Sequence, residues 1–171
     1  MDAALIQKLE NGALLLTASL RQARHSQLEY AQAQRSRGQT VWPTPAIVAW
    51  TNWLSALWED ALMLEAPPAA RLLTPAQTGA LWERLVRDSD SAALLLHVEP
   101  TARVAMQAWE WAQAWRVPLD PSVSVSEDVQ AFIAWSQEFA LLCRRQGFVD
   151  RARLPEALAP FILEKKLNLP T

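Results

Sequence analysis

A single cysteine, Cys143, in 171 residues excludes an internal disulfide and fits a reducing compartment. Histidine is nearly as scarce. His25, His97 and Cys143 give at most three widely separated ligands, too few for a zinc site, so no metal is expected. The only glycines are Gly12, Gly38, Gly79 and Gly147. No two of them stand five apart ahead of Lys-Ser/Thr, which excludes a phosphate-cradling P-loop. Counting leaves a Ser/His/Asp triad open, but there is no G-x-S-x-G elbow to expose a serine. No cofactor is expected. No apolar run approaches the roughly 18 residues of a membrane span. Residues 1–18 lack a basic n-region and an A-x-A cleavage pattern, so neither a signal peptide nor a membrane partner is expected. The expected location is cytoplasmic.

What is present is a chain 51% hydrophobic and 20% charged, a globular composition. At this length one domain with a real core would bury about 68–70% of its unfolded surface. The net charge of −2 exerts no global pull on nucleic acid, yet charge is unevenly placed. Residues 19–40 hold Arg21, Arg24, Arg35 and Arg37 against Glu29, a net +3. Residues 41–66 hold Glu59, Asp60 and Glu65 with no base, a net −3. Residues 151–171 are net +2. Such segments are ordinarily solvated helix faces, and a binding face is the alternative.

Residues 2–10 predict a short helix stopped by Asn11-Gly12. Residues 13–18 are an apolar run too brief for a helix and predict a strand. A helix follows over 19–36, with Leu20, Ala23, Leu28 and Ala31 inward and the arginines mostly outward. Gln39–Trp42 is the expected second strand, parallel to the first. This βαβ order places Thr17 and the first arginines where a strand hands over to a helix, the ligand edge of such units. Thr44-Pro45 then predicts an N-cap and N1 proline for a helix over 45–65, with Ile47, Trp50, Leu54, Leu57, Trp58, Ala61 and Leu62 as its apolar stripe. Pro67-Pro68 should end it.

Thr74-Pro75-Ala76-Gln77 is a capping box opening a helix through Leu81, Trp82 and Leu85. Pro100 opens another, with Val104, Ala108, Trp111 and Trp115 on one face, stopped by Pro118 and Pro121. Ser126 and the acids Glu127 and Asp128 begin a helix through Phe132, Trp135, Phe139 and Leu142 that Gly147 closes. A last helix covers about 153–165. The expected fold is mainly α with a minimal parallel βαβ element, divided into residues 1–43 (βαβ) and 44–171 (helical). Two strands alone make a poor sheet, and Leu167–Thr171 stops in mid-pattern, so a longer parent protein is expected.

Nine of the fourteen aromatic residues are tryptophan. Tryptophans can form stacking platforms for single-stranded bases. Trp50, Trp58, Trp111, Trp115 and Trp135 stand at core spacing, however, where burial is the simpler reading. Trp42 is the one most open to a surface role. Cys143 on an apolar face reads as a small core residue. Glu164-Lys165-Lys166 matches the E-x-K half of a nuclease core by chance, with no Asp on a preceding strand. Gln77 reads as a cap, not as a purine-reading glutamine.

Thr17-Ala18-Ser19-Leu20-Arg21-Gln22-Ala23-Arg24 resembles the opening T-x-N-x-R-L-A-R of the bacterial "probable DNA repair protein" family. Those proteins join an inactivated superfamily I helicase-like region to a C-terminal PD-(D/E)XK nuclease, and are relatives of AddB- and RecB-type exonucleases. Trp42–Leu54 is similar to the family's W-P-T-P-x-I-x-x-W-x-x-W-L, and Leu72–Glu83 to its L-L-T-P-x-Q-x-x-x-L-W-E. Trp109, Trp111, Trp115, Glu127-Asp128, Phe132, Trp135 and Gly147–Asp150 continue the likeness. Two positions depart from it: Ser19 replaces an Asn and Gln22 replaces a Leu.

The resemblance implies a helicase domain 1-like fragment, an incomplete RecA-like sheet plus a helical insertion. It implies a non-catalytic DNA-binding or scaffold module, not an enzyme, contacting the backbone of single-stranded DNA. Thr17, Ser19, Arg21 and Arg24 would be the phosphate contacts. The nuclease half is outside this chain. A helicase or nuclease subunit, or the missing C-terminal part, is the other expected partner. The competing reading is a Trp-rich helical module that docks such a protein, and its mark would be a contiguous exposed apolar patch.

Overall fold

A computed structural model describes residues 1–94, 97–120, 122 and 126–167. Among them the chain is mainly helical, with two small parallel strand pairs. It divides into two compact units, residues 1–67 with 158–171 and residues 68–157.

The first unit begins with α1 (Ala3–Glu10), which buries Ile6 and Leu9, one turn apart. Asn11 caps it and Gly12 takes φ +90°, a turn conformation that glycine adopts without strain. β1 (Leu15–Thr17) leads into α2 (Leu20–Ser36), and the Ser19 hydroxyl oxygen accepts the Gln22 N–H as its N-cap. α2 buries Ala23, Tyr30 and Gln34, and Ala31 is half-buried. The expected inward leucines are on the other side: Leu20 is 47% and Leu28 63% exposed. Tyr30 and the amide of Gln34 occupy the inward positions. The Gln34 amide is satisfied there by donating to Glu10 at 2.6 Å.

The second strand is not Gln39–Trp42. It is β2 (Ile47–Ala49), parallel to β1 with Leu15 opposite Ile47, Leu16 opposite Val48 and Thr17 opposite Ala49. Pro43 and Pro45 lack the N–H a ladder needs, so pairing starts only past them, with the Leu15 N–H donating to the Ala46 carbonyl at 2.8 Å. Val41 is 82% exposed, whereas Ile47 and Ala49 are each 1% exposed. Two side chains fix β2 from outside the ladder. Gln27 Nε2 donates to the Ile47 carbonyl at 2.9 Å, and the Thr17 hydroxyl donates to the Val48 carbonyl at 3.3 Å. Trp42 lies half-buried against the Ile6–Leu9–Tyr30–Ile47 core.

The helix expected from residue 45 therefore starts five residues later, as α3 (Trp50–Leu62) with Ala49 at its N-cap. It buries Leu54, Leu57, Trp58 and Ala61, while Trp50 and Leu62 are exposed. It ends at Met63, before Pro67-Pro68.

In the second unit β3 (Arg71–Leu72) precedes α4 (Pro75–Arg87), whose capping box forms as expected. The Thr74 N–H donates to Gln77 Oε1 at 2.9 Å and the Gln77 N–H to Thr74 Oγ1 at 3.3 Å. α5 (Val98–Ala114) buries Ala102, Ala105, Trp109 and Ala112. The face expected to be inward is largely outward: Val104, Trp111 and Trp115 are exposed. α4 and α5 pack closely, and alanines permit that approach where paired tryptophans would not. α6 (Glu127–Gln146) has Ser126 as N-cap and Gly147 in the left-handed conformation at φ +65°. β4 (Phe148–Val149) then pairs with β3, Arg71 opposite Phe148 and Leu72 opposite Val149. The last helix, α7 (Leu154–Leu163), begins in this unit, and its residues from Leu158 on belong to the first.

This unit's core is aromatic. Trp82 and Phe139 stack at 4.8 Å, and Trp109 meets Phe139 edge-on at 5.7 Å. Trp135 and Cys143 are buried beside them, as expected. The expected stop at Pro121 and the end of the chain at 168–171 lie outside the described residues.

Candidate functional site

Because β1 and β2 are parallel and in register, α2 and α3 both start from the same end of the strand pair. Neighbouring strands are about 4.8 Å apart, so Thr17, Ser19 and Ala49-Trp50 share one edge. This edge brings together the four residues singled out in the sequence, and each plays a different part.

Thr17 is half-buried, and its hydroxyl faces the carbonyls of Ser19 (3.0 Å) and Val48 (3.3 Å). Its proton is committed to holding the turn and β2, so toward a ligand it offers chiefly oxygen lone pairs. Ser19 is exposed and caps α2 by accepting, which leaves its own O–H free to donate outward. Arg21 and Arg24, three residues apart in the first turns of α2, are on one side of the helix. Both are exposed, and neither has an ion-pair partner among the described residues.

Electrostatics change along α2. At its far end Arg37 is tied to Glu10 at 2.9 Å. Glu29 is engaged by the N-terminal amine at 3.4 Å and faces His25 Nε2 at 3.8 Å. Unpaired positive charge is thus concentrated at the strand-end edge, where Arg21 and Arg24 stand against Arg35 alone in the last turn, none of the three ion-paired among the described residues. α3 reinforces this polarity. Its acids Glu59 and Asp60 follow Trp50 by nine and ten residues, about 14 Å along the axis from the edge. At the near end Ala49 supplies no side-chain cap, so the first-turn N–H groups of α3 also face this edge.

The residues that sequence reasoning missed are Trp50 and Trp53. Trp50 is 41% exposed, Trp53 is half-buried, and their rings pair at 5.3 Å with a 38° tilt. Trp50 reads into the apolar stripe of one helix starting at residue 45, and that periodicity hides the strand Ile47–Ala49 that ends just before it.

Asp150, 1% exposed, accepts Trp109 Nε1 at 2.8 Å and Arg153 Nε at 2.7 Å. Burial pushes the nearby Cys143 thiol up, which makes it a poor nucleophile. Partial burial, and then the Asp150 charge, raise Glu110 above the ordinary carboxylate range. Among the described residues no group of three or more His, Cys, Asp or Glu could hold a metal ion. No described helix is long and apolar enough to cross a membrane. At the strand-end edge two exposed guanidinium groups and a partly exposed indole are the chemistry on offer, an arrangement suited to anions and planar groups. No protein-family model, curated protein or solved structure matches this chain.

Proposed function

We propose that this chain is a non-catalytic DNA-binding or scaffold module, of the kind its resemblance to the "probable DNA repair protein" family implies, and that it contacts the backbone of single-stranded DNA. The observation that carries the reading is the pair of exposed arginines, Arg21 and Arg24, without an ion-pair partner among the described residues, beside Ser19 at the end of a parallel strand pair. Phosphates fit such an edge, because guanidinium groups and helix-start N–H groups both favour negative charge. In this reading the strand pair is a remnant of a helicase-like sheet, and the helical unit over residues 68–157 is its insertion.

Fluorescence anisotropy with a labelled dT oligonucleotide tests it. Binding should appear at low salt and weaken with a log–log slope of about −0.7 per phosphate neutralised. Arg21→Ala and Arg24→Ala should each weaken it. No binding at low salt, or binding indifferent to both substitutions, defeats the reading.

A second reading is favoured by α5. Val104, Trp111 and Trp115 are 66%, 60% and 80% exposed, on the face opposite the buried alanines. Exposed tryptophans of this size mark a surface for protein docking, here a helicase or nuclease subunit or the rest of the polypeptide. Trp111→Ser with Trp115→Ser should leave stability nearly unchanged and abolish that association. A large loss of stability would show instead that these rings pack within the unit.

A further inference from the structure

We infer that Trp50, backed by Trp53, is a base-stacking platform next to the phosphate-binding arginines, so that the edge takes single-stranded DNA through its bases as well as its backbone. The inference rests on the DNA-backbone reading and adds the ligand's second half.

Three observations carry it. Trp50 follows directly on Ala49, and Ala49 is the register partner of Thr17, so the indole starts from the strand next to the one that feeds Arg21 and Arg24. At 41% exposed, Trp50 keeps an open aromatic surface that the buried tryptophans of the other unit, Trp82 at 0% and Trp109 at 4%, lack. Its other side is supported by the half-buried Trp53 ring at 5.3 Å, which limits the rotamer freedom a base would otherwise have to freeze on binding. Any exposed ring can adhere to apolar matter. The guanidinium groups of Arg21 and Arg24, on the helix that starts from the adjoining strand and without ion-pair partners among the described residues, favour an occupant that is planar, apolar on its faces and anionic along its edge, which describes a nucleotide. In duplex DNA the base faces are already stacked on each other, so the platform selects single strands.

The test compares a labelled dT oligonucleotide with an abasic sugar–phosphate strand of equal length, using the full chain. Wild type should bind dT about 5- to 150-fold more tightly than the abasic strand, the usual range for one stacked base. Trp50→Ala should bring dT down to the abasic level and leave the abasic strand unchanged, while Trp50→Phe should keep part of the difference. Circular dichroism on each variant confirms the fold, and Trp50→Phe serves as the readout if Trp50→Ala does not fold. Equal binding of the two strands by wild type, or dT binding unaffected by either substitution, overturns the platform and leaves the backbone reading intact. Failure of both strands to bind wild type removes the backbone reading itself.

Discussion

Trp109 Nε1 donates to Asp150 Oδ2 at 2.8 Å inside the aromatic core, and the other carboxylate oxygen holds Arg153 Nε at 2.7 Å. The Arg153 guanidinium also lies 5.5 Å from the Trp109 ring centre and 5.9 Å from that of Phe139. One carboxylate thus neutralises a largely buried cation and satisfies an indole N–H, and it joins α5 to the turn after β4. Asp150→Ala should cost about 3–5 kcal/mol, because it leaves a charge and a donor buried without partners. Asp150→Asn keeps an acceptor and should cost less. Urea denaturation at neutral pH measures both.

Glu110 gives the protein a pH signature. Its carboxyl is raised above the ordinary value of 4.5, first by desolvation and then by the Asp150 charge. The folded state therefore holds this proton more tightly than the unfolded chain. The resulting stabilisation is complete below 4.5 and is lost as pH climbs through the raised native value. Relative to Glu110→Gln, wild type should lose stability as pH rises from 4.5 through the raised native value, then run parallel to it. Denaturant midpoints of the two proteins across that window give the comparison, and a gap that widens toward acid would contradict the sign.

β2 can be tested against the strand that the sequence suggests. Ile47 is 1% exposed and Val41 82% exposed. Ile47→Ala should cost about 2–5 kcal/mol, the range for removing a buried aliphatic side chain. Val41→Ala should stay within about 0.5 kcal/mol of wild type. Equal effects at the two positions would argue for pairing at residues 39–42 after all.

The same contrast explains what could be read in advance. Elements that begin or end on local chemistry were legible: the Thr74–Gln77 box, Ser126 before α6 and Gly147 after α6 each act through bonds within a few residues. Ile47-Val48-Ala49 was not legible, because three apolar residues continue the helical stripe of α3 without a break and Pro45 imitates a helix start. Only the pairing with Leu15–Thr17, some thirty residues earlier, makes them a strand. The faces of α5 were misread for a related reason. Val104, Ala108, Trp111 and Trp115 follow one another at core spacing, yet close packing on α4 selects the face of Ala102, Ala105 and Ala112 and admits Trp109 as its one tryptophan. The basic edge was visible as residues, Thr17 to Arg24. Its tryptophan wall depended on the misplaced strand and was therefore missed.

The capping box offers a local check on α4. Thr74→Ala removes the acceptor for the Gln77 N–H and should cost about 1 kcal/mol. Adding Gln77→Ala should cost less than the sum of the two single changes, since the residues satisfy each other. Strict additivity in a double-mutant cycle would mean that the two bonds act independently.

Arg21 and Arg37 are separated by sixteen residues of one helix, about 24 Å, and by their electrostatic circumstances. Arg37 is held by Glu10 at 2.9 Å, and Arg21 has no ion-pair partner among the described residues. If phosphate binds at the strand-end edge, Arg21→Ala should weaken dT binding and shorten the log–log salt slope by about 0.7. Arg37→Ala removes the same formal charge and should leave the slope unchanged, because its charge is already neutralised and lies beyond the roughly 8–10 Å over which salt lets exposed charges interact. Equal loss from the two substitutions would mean that the whole helix acts as a diffuse basic surface, and the edge formed by Ser19, Arg21, Arg24 and Trp50 would no longer be a site.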